Sequence, residues 1–268
     1  MQNIIELLKY ILIGVVQGIT EILPISSSGH SAIVAEWLNI TTDFPVLVML
    51  MHSGSFIAVF LFFRKEVIRM FSGTFLYLVK NDAMYKEDAI YFMKVLIACI
   101  PIGIVGFFFR DYLSTNLLVV GISLVLTAGL LLFVYLTHTN EWTDQITWKS
   151  ALLIGAVHTF GIIPGVSRSA TVLSSGIKQG IKVKIAVNFS FMSYILLSVP
   201  IFILGVVDAM VNPEPIDLLG YTLAFIFSFI FSYLGIRFLY NYLKVKYFLY
   251  FGIYCFIIGA IAIITFVL

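Results

Sequence analysis

Six stretches of about twenty apolar residues, at 45–63, 89–109, 116–137, 185–207, 218–240 and 247–267, leave this chain few ways to fold. A helix needs about 20 residues to cross the roughly 30 Å hydrocarbon core of a bilayer. Each stretch meets that length, and only a helix satisfies every backbone N–H and C=O within one such segment. The expected fold is an all-α polytopic membrane protein with six transmembrane helices. Composition agrees: 61% of residues are hydrophobic and 11% charged, where a soluble domain carries about 25% charged residues. The 268 residues fit a single integral membrane domain, 1–268. Net charge of +2 says little about partners, and no nucleic-acid partner is expected. Cys99 and Cys255 fall inside apolar stretches and read as packing residues. The apolar N-terminus lacks a basic leader and an A-x-A-like cleavage site, so it is expected to be retained.

Two further apolar regions are interrupted. Residues 4–22 run into Pro24 and a serine run, then continue as 29–40; residues 149–163 run into Pro164-Gly165, then continue as 169–180. Proline and glycine break a helix, and serines can satisfy the freed backbone groups. Each region reads as a re-entrant helical hairpin, tolerated at membrane depth where it is buried in protein or lines a wet cavity. The two resemble each other: Gly14 to Pro24 lies against Gly155 to Pro164, and aligning the prolines sets Ser27 opposite Ser167 and Ser28 opposite Arg168. Each hairpin is followed by three spans, giving internal repeats of approximately 1–137 and 149–268. An odd number of spans turns the second repeat upside down, so the arrangement is an inverted-topology repeat. The hairpin tips are then expected to meet near the midplane.

Only two unambiguous charges lie deep inside the apolar segments, and each belongs to one of these tips: Glu21 and Arg168. A charge inside a bilayer costs several kcal/mol, so it usually has a task and a partner. Glu21 reads as a general base or metal ligand, or as half of a structural ion pair with Arg168. Gln17, one helical turn earlier on the same face, could hold Glu21, a metal or a water. Ser26, Ser27 and Ser28 sit where the next helix begins, a position that suits either N-capping or an anion. Ser167, Arg168 and Ser169 form the opposing tip, and the arginine fork matches phosphate oxygens bidentately. His30 follows close behind and could act as a base, nucleophile or proton donor. His158 aligns with Gln17. His52 precedes Ser53-Gly54-Ser55, small residues suited to close helix packing.

Lysine and arginine set the expected orientation. Loop 64–88 carries Arg64, Lys65, Arg69, Lys80 and Lys86, and reads as an interfacial amphipathic helix with a cytoplasmic loop. The opposite face has Lys9 and Arg110, and loop 208–217 carries only the acids Asp208, Glu214 and Asp217. By the positive-inside rule the first face is cytoplasmic, and the Glu21 hairpin opens on the extracytoplasmic side. Trp37, Trp142 and Trp148 lie near expected span ends, as interfacial aromatics do.

The motifs Gln17-x-x-x-Glu21, Pro24-Ile25-Ser26-Ser27-Ser28-Gly29-His30 and Pro164-Gly165-Val166-Ser167-Arg168-Ser169-Ala170-Thr171 carry a resemblance. With them the chain resembles the bacterial undecaprenyl-diphosphate phosphatases, also called bacitracin-resistance proteins, over nearly its whole length. Leu50-Met51-His52-Ser53-Gly54-Ser55, Phe62-Phe63-Arg64-Lys65 and Phe189-Ser190-Phe191 extend the likeness. The resemblance implies removal of the terminal phosphate from a C55 polyprenyl diphosphate, which returns the lipid carrier to cell-wall polymer synthesis. It also implies a divalent cation, Mg2+ or Ca2+, interdigitated inverted repeats, and a place in the bacterial cytoplasmic membrane. Carried onto this chain, Glu21, Ser27, His30 and Arg168 form the catalytic core, with Ser26, Ser28, Ser167 and Ser169 beside them at the phosphates. Glu21 and Gln17 are the expected metal ligands. Three departures stand out: Gln17 where many members carry an acid, Ala170 at a common glycine, and His158 at a frequent glutamine. Ser27 activated by Glu21 or His30, His30 itself, or an activated water could attack the phosphorus. A homodimer is left open.

Two rival readings remain at the level of sequence. Broken helices meeting at the midplane also mark transporters, so the chain could flip a lipid phosphate, alone or besides hydrolysis. Ser28-Gly29-His30 and Ser167-Arg168 echo another lipid-phosphatase superfamily. That family needs a histidine after its Ser-Arg pair, and no histidine follows His158.

Overall fold

The computed structural model describes residues 2–40, 44–109, 116–139, 141–211 and 217–268. Arg110 and Glu214, used above for orientation, lie outside the described residues, as does the side chain of Asp208. The helices, in chain order, are α1 (Gln2–Ile22), α2 (Ser27–Trp37), α3 (Phe44–Phe62), α4 (Arg64–Lys80), α5 (Lys86–Phe109) and α6 (Leu117–Thr137). They continue as α7 (Trp148–His158), α8 (Arg168–Lys178), α9 (Val183–Val211), α10 (Leu218–Tyr242) and α11 (Tyr247–Val267). Short 3-10 turns cover Ala83–Tyr85 and Thr159–Ile162. Six segments are long and apolar enough to cross a membrane: Pro45–Phe62, Ala83–Phe109, Leu117–Thr137, Val183–Val211, Leu218–Tyr242 and Tyr247–Val267. They coincide with the six stretches read from the sequence.

The interrupted regions break where proline dictates. Leu23 follows the last residue of α1 and precedes Pro24, where helical backbone is disfavoured. The second break is more gradual: α7 ends at His158, a 3-10 turn tightens over Thr159–Ile162, and Ile163 is extended ahead of Pro164. Helix therefore resumes at Ser27 and Arg168, not at 29 and 169 as expected. Ser26 caps α2 by accepting from the Gly29 amide, and Ser167 caps α8 by accepting from the Ala170 amide.

This cap geometry revises the alignment of the two regions. Ser26, not Ser27, is the counterpart of Ser167, and Ser27 is the counterpart of Arg168. In this register Gly14 to Ser26 matches Gly155 to Ser167 without a gap. Pro24 and Pro164 are not equivalent, because Gly165, at φ 93°, takes a backbone conformation closed to most side chains and carries the second chain to its cap. Hydroxyl pairs repeat in the same register: Ser26 Oγ lies 3.4 Å from Ser28 Oγ, and Ser167 Oγ 3.1 Å from Ser169 Oγ.

The packing of these regions crosses between the two halves of the chain. α1 lies along α10, α7 lies along α5, and α6 lies along α11. A Cβ on Gly14 would meet the Ala224 carbonyl oxygen of α10, and one on Gly155 would meet Ala98 of α5 at 3.0 Å. Small residues admit this close backbone approach, which is how helices gain contact area where lipid supplies no hydrophobic drive. Behind Glu21, hydroxyls bind α1, α3 and α10 together. Ser232 Oγ donates to Ser55 Oγ at 2.9 Å and reaches the Gly18 carbonyl at 3.1 Å, while Ser228 Oγ donates to the Met51 carbonyl at 2.7 Å.

α4 buries Val67, Met70 and Gly73 against the rest and exposes most of its other residues. It is pinned to α5 by Arg69 Nε donating to Asp88 Oδ1 at 2.9 Å. The linker after α6 is tied to the end of α8, with Thr143 and Ile181 forming an isolated bridge and Lys182 paired with Asp144 at 2.6 Å. The largest apolar core runs between α3, α5, α8 and α9 and includes Phe63, Val95, Leu173, Phe189 and Met192.

Candidate active site

The turns that end α1 and begin α8 meet. Glu21, on the last turn of α1 with its side chain only 5% exposed, is surrounded by donors. Its Oε2 accepts from Ser27 Oγ at 2.5 Å and from Gln17 Nε2 at 2.8 Å. His52 Nδ1 lies 3.1 Å from the same oxygen. Its Oε1 faces Arg168 Nη2 at 3.2 Å. The Gln17 amide is fixed from both ends, because its Oε1 accepts from Ser31 Oγ at 2.8 Å. Each contact favours the ionised carboxylate, which offsets the cost of keeping it out of water.

The ring through Ser27 and Arg168 is closed by the caps. Ser28 Oγ accepts from the Gly165 amide at 3.4 Å, and Ser169 Oγ donates to the Leu23 carbonyl at 3.3 Å. Thr127 of α6 clamps the second turn: its Oγ1 donates to the Gly165 carbonyl and accepts from the Ser167 amide, both at 3.2 Å. A cleft of about 230 Å3 opens here, lined by Thr20, Glu21, Ser26, Ser27, Ser28, Val166, Ser167, Arg168 and Ser169. It faces the N-termini of both α2 and α8, whose unpaired amides and dipoles favour an anion. The Arg168 side chain is 27% exposed and spends one of its donors on Glu21, with the Tyr194 ring 5.9 Å from its guanidinium carbon.

Eight of the residues singled out from sequence thus come together: Gln17, Glu21, Ser26, Ser27, Ser28, Ser167, Arg168 and Ser169. His30 does not join them. Its Nδ1 lies 2.7 Å from the Ser26 carbonyl and its Nε2 lies 2.9 Å from the Tyr254 hydroxyl. A carbonyl can only accept, so Nδ1 carries the proton and Nε2 takes the one from Tyr254. Both ring nitrogens are therefore engaged, and no hydrogen bond joins His30 to Ser27 or Glu21. What His30 holds is the Ser26 backbone, which sits at φ 73°, an uncommon conformation for serine. In this structure the hydrogen-bond partner of Ser27 Oγ is Glu21.

The expected metal ligands fare unequally. A hard divalent cation wants oxygen donors, and Gln17 turns its nitrogen to Glu21 and its oxygen to Ser31. Among the described residues no group of three or more His, Cys, Asp or Glu gathers to hold an ion. The donor set therefore fits a cation only through Glu21, with further oxygens from phosphates and water, as is common for Mg2+.

Three residues at the site were not found by sequence reasoning. His52 stands beside a packing motif in sequence; that motif brings α3 against α1 and α10, and so delivers His52 to Glu21. Tyr194 sits beside Arg168 and reaches the His52 carbonyl through its hydroxyl at 3.4 Å. Thr127 is an isolated hydroxyl in an apolar run, and nothing near it in sequence marks it.

The family model for the bacitracin resistance protein BacA matches residues 10–261. This chain belongs to the BacA family. BacA relatives run the full length of the chain. The undecaprenyl-diphosphatase of Acholeplasma laidlawii is 38% identical over 277 residues, covering 100% of both chains. Undecaprenyl-diphosphatase 2 of Bacillus thuringiensis is 32% identical over 98% of this chain and 99% of its own. Undecaprenyl-diphosphatase 1 of Bacillus licheniformis is 33% identical with the same coverage. With BacA membership and six apolar helices, the chain is a multi-pass bacterial membrane protein. The names of these BacA relatives give no support to the lipid-flipping alternative.

Proposed function

We propose that this chain removes the terminal phosphate from undecaprenyl diphosphate, leaving the monophosphate and inorganic phosphate. The observation that carries this reading is the 2.5 Å hydrogen bond from Ser27 Oγ to Glu21 Oε2, set beside an arginine fork and two helix N-termini. Arg168 and the amides of α2 and α8 take the charge of the terminal phosphate, the largest contribution in phosphoryl transfer. Ser27 Oγ attacks the phosphorus as Glu21 takes its proton. The bond from phosphorus to the bridging oxygen breaks, and prenyl monophosphate leaves. The leaving monophosphate carries off the proton that Glu21 took, which restores the carboxylate. Water then attacks the phosphoserine as it gives a proton to Glu21, and Glu21 passes that proton to Ser27 Oγ as phosphate departs. His52 and Gln17 hold Glu21 in place for both steps. His30, with Tyr254 behind it, holds the turn that presents Ser27. A divalent cation, Mg2+ or Ca2+, belongs to this proposal: Glu21 would hold it together with the substrate phosphates, and it would withdraw charge from them as a Lewis acid.

The same proposal includes topology. The matching caps and the crossed packing of α1 on α10 and α7 on α5 support two inverted repeats, each opened by a re-entrant hairpin. The basic residues of α4 support a cytoplasmic position for that face, with the serine cleft served from the extracytoplasmic side. Every residue of the machinery comes from one chain, so no second copy is needed to complete it.

The test is phosphate release from C55 diphosphate by purified protein in detergent, with and without EDTA, beside Glu21→Ala. Release that EDTA abolishes, and that falls at least about 100-fold in the variant, is expected. Well-folded wild-type protein that releases no phosphate would overturn the reading.

A further inference from the structure

A second cleft, of about 370 Å3, shares Glu21, Arg168 and Ser169 with the first but differs in its remaining walls. The serine cleft is bounded mostly by hydroxyls. The second is bounded by Val172, Phe191 and Leu197, with His158 among them. Both reach the Glu21–Arg168 pair.

His158 is the informative residue. It is 2% exposed, yet its Nδ1 has no hydrogen-bond partner. Buried polar atoms without partners are rare, and each carries the cost of its lost hydration. The other three such side-chain atoms among the described residues are Ser174 Oγ, Asn188 Oδ1 and Ser193 Oγ. They sit on α8 and α9, helices that wall this same cleft. An unmatched ring nitrogen in a cleft that Val172, Phe191 and Leu197 line together with Ser190 and Tyr194, next to an arginine, suits an anion that arrives with an apolar tail attached.

We propose that His158 binds the lipid-side phosphate of the substrate, so that the diphosphate straddles Arg168. This rests on the phosphatase reading above. The terminal phosphate lies among the serines against Ser27. The other ring nitrogen of His158 is bonded to the Ala98 backbone. His158 therefore meets the prenyl-bearing phosphate as an imidazolium, with Nδ1–H donating to a phosphate oxygen. The first isoprene units lie along Val172, Phe191 and Leu197. Cleavage then parts the products by cleft: inorganic phosphate stays on the serine side, and the prenyl monophosphate on the His158 side. The assignment fixes the direction in which the substrate lies, which the Glu21–Arg168 pair alone leaves undetermined.

Two product inhibitors separate the clefts. Hydrolysis of C55 diphosphate in detergent is measured with farnesyl monophosphate or inorganic phosphate as inhibitor, for wild type, His158→Leu and His158→Gln. A lost hydrogen bond to a charged group predicts that His158→Leu raises the farnesyl monophosphate inhibition constant by about 10- to 100-fold, with inorganic phosphate changed less than about twofold. His158→Gln keeps an N–H donor and should fall between wild type and His158→Leu, so it carries the test if His158→Leu fails to fold. Melting temperature in detergent certifies each variant. An unchanged farnesyl monophosphate constant in a folded variant, or an equal rise for both inhibitors, would overturn the assignment. If wild-type protein releases no phosphate, the phosphatase reading fails by itself. Binding of radiolabelled farnesyl monophosphate, weakened or not in the His158 variants, then still decides whether this cleft holds a prenyl phosphate.

Discussion

The turn between α1 and α2 and the turn between α7 and α8 share a scaffold and differ in charge. Both place a serine cap at the same distance from a glycine that touches a helix of the other half, and both pair that cap with a second hydroxyl two residues on. In the matched register, Glu21 falls opposite Ile162 and Arg168 falls opposite Ser27. The acid therefore stands at the end of an incoming helix, and the arginine at the start of an outgoing one. Around Glu21 the hydrogen bonds are dense, with Gln17, Ser27, His52 and Arg168 all engaged. Around Arg168 they are sparse, and His158, the counterpart of Gln17, has a ring nitrogen with no partner. One turn surrounds its carboxylate with hydrogen-bond partners, and the other leaves this ring nitrogen unpaired.

Exchanging the charges would break this comparison most severely. Glu21→Arg combined with Arg168→Glu keeps an ion pair but moves the acceptor away from Ser27. Phosphate release should fall by at least about 1,000-fold, since both the general base and the phosphate clamp are lost from their places. Activity within tenfold of wild type, in protein with an unaltered melting temperature, would mean the two turns are interchangeable. A smaller effect is expected on the dense side alone: His52→Ala should lower kcat by about 10- to 100-fold through loss of one bond to a charged group, with little change in KM. A rise in KM with kcat unchanged would make His52 a substrate ligand instead. The smallest effect sharpens the likeness itself. Ser26→Ala and Ser167→Ala should each cost about 1 kcal/mol of stability as lost N-caps, read as similar drops in melting temperature in detergent. A cost confined to one of them would refute the cap register.

Much of this was legible in the chain. The six spans follow from hydropathy because lipid leaves a backbone no alternative to the helix. The breaks follow from Pro24 and Pro164-Gly165, and the meeting of Glu21 with Arg168 from the expense of leaving either alone in a membrane. Prolines give a register one residue off, because the caps set the geometry and the Gly165 bend absorbs the difference. The partners of His30 were not legible, because closeness in sequence to Ser27 says nothing about direction: as a residue of the first turn of α2, it points its ring at the Ser26 carbonyl and Tyr254. His52, Tyr194 and Thr127 come from α3, α9 and α6, and their contribution depends on tertiary packing that no local pattern encodes.

The crossing of the two halves bears on how such a chain is made. Glu21 and Arg168 are 147 residues apart, and α1 finds its main neighbour in α10, one of the last helices to be synthesised. A ribosome that has delivered α1 to α6 has delivered a glutamate with no arginine to face and a broken helix with no groove to fill. The first half carries Gln17, Ser27 and His52 for its glutamate, but the contacts of the site cannot be complete until α8 and α10 have been synthesised.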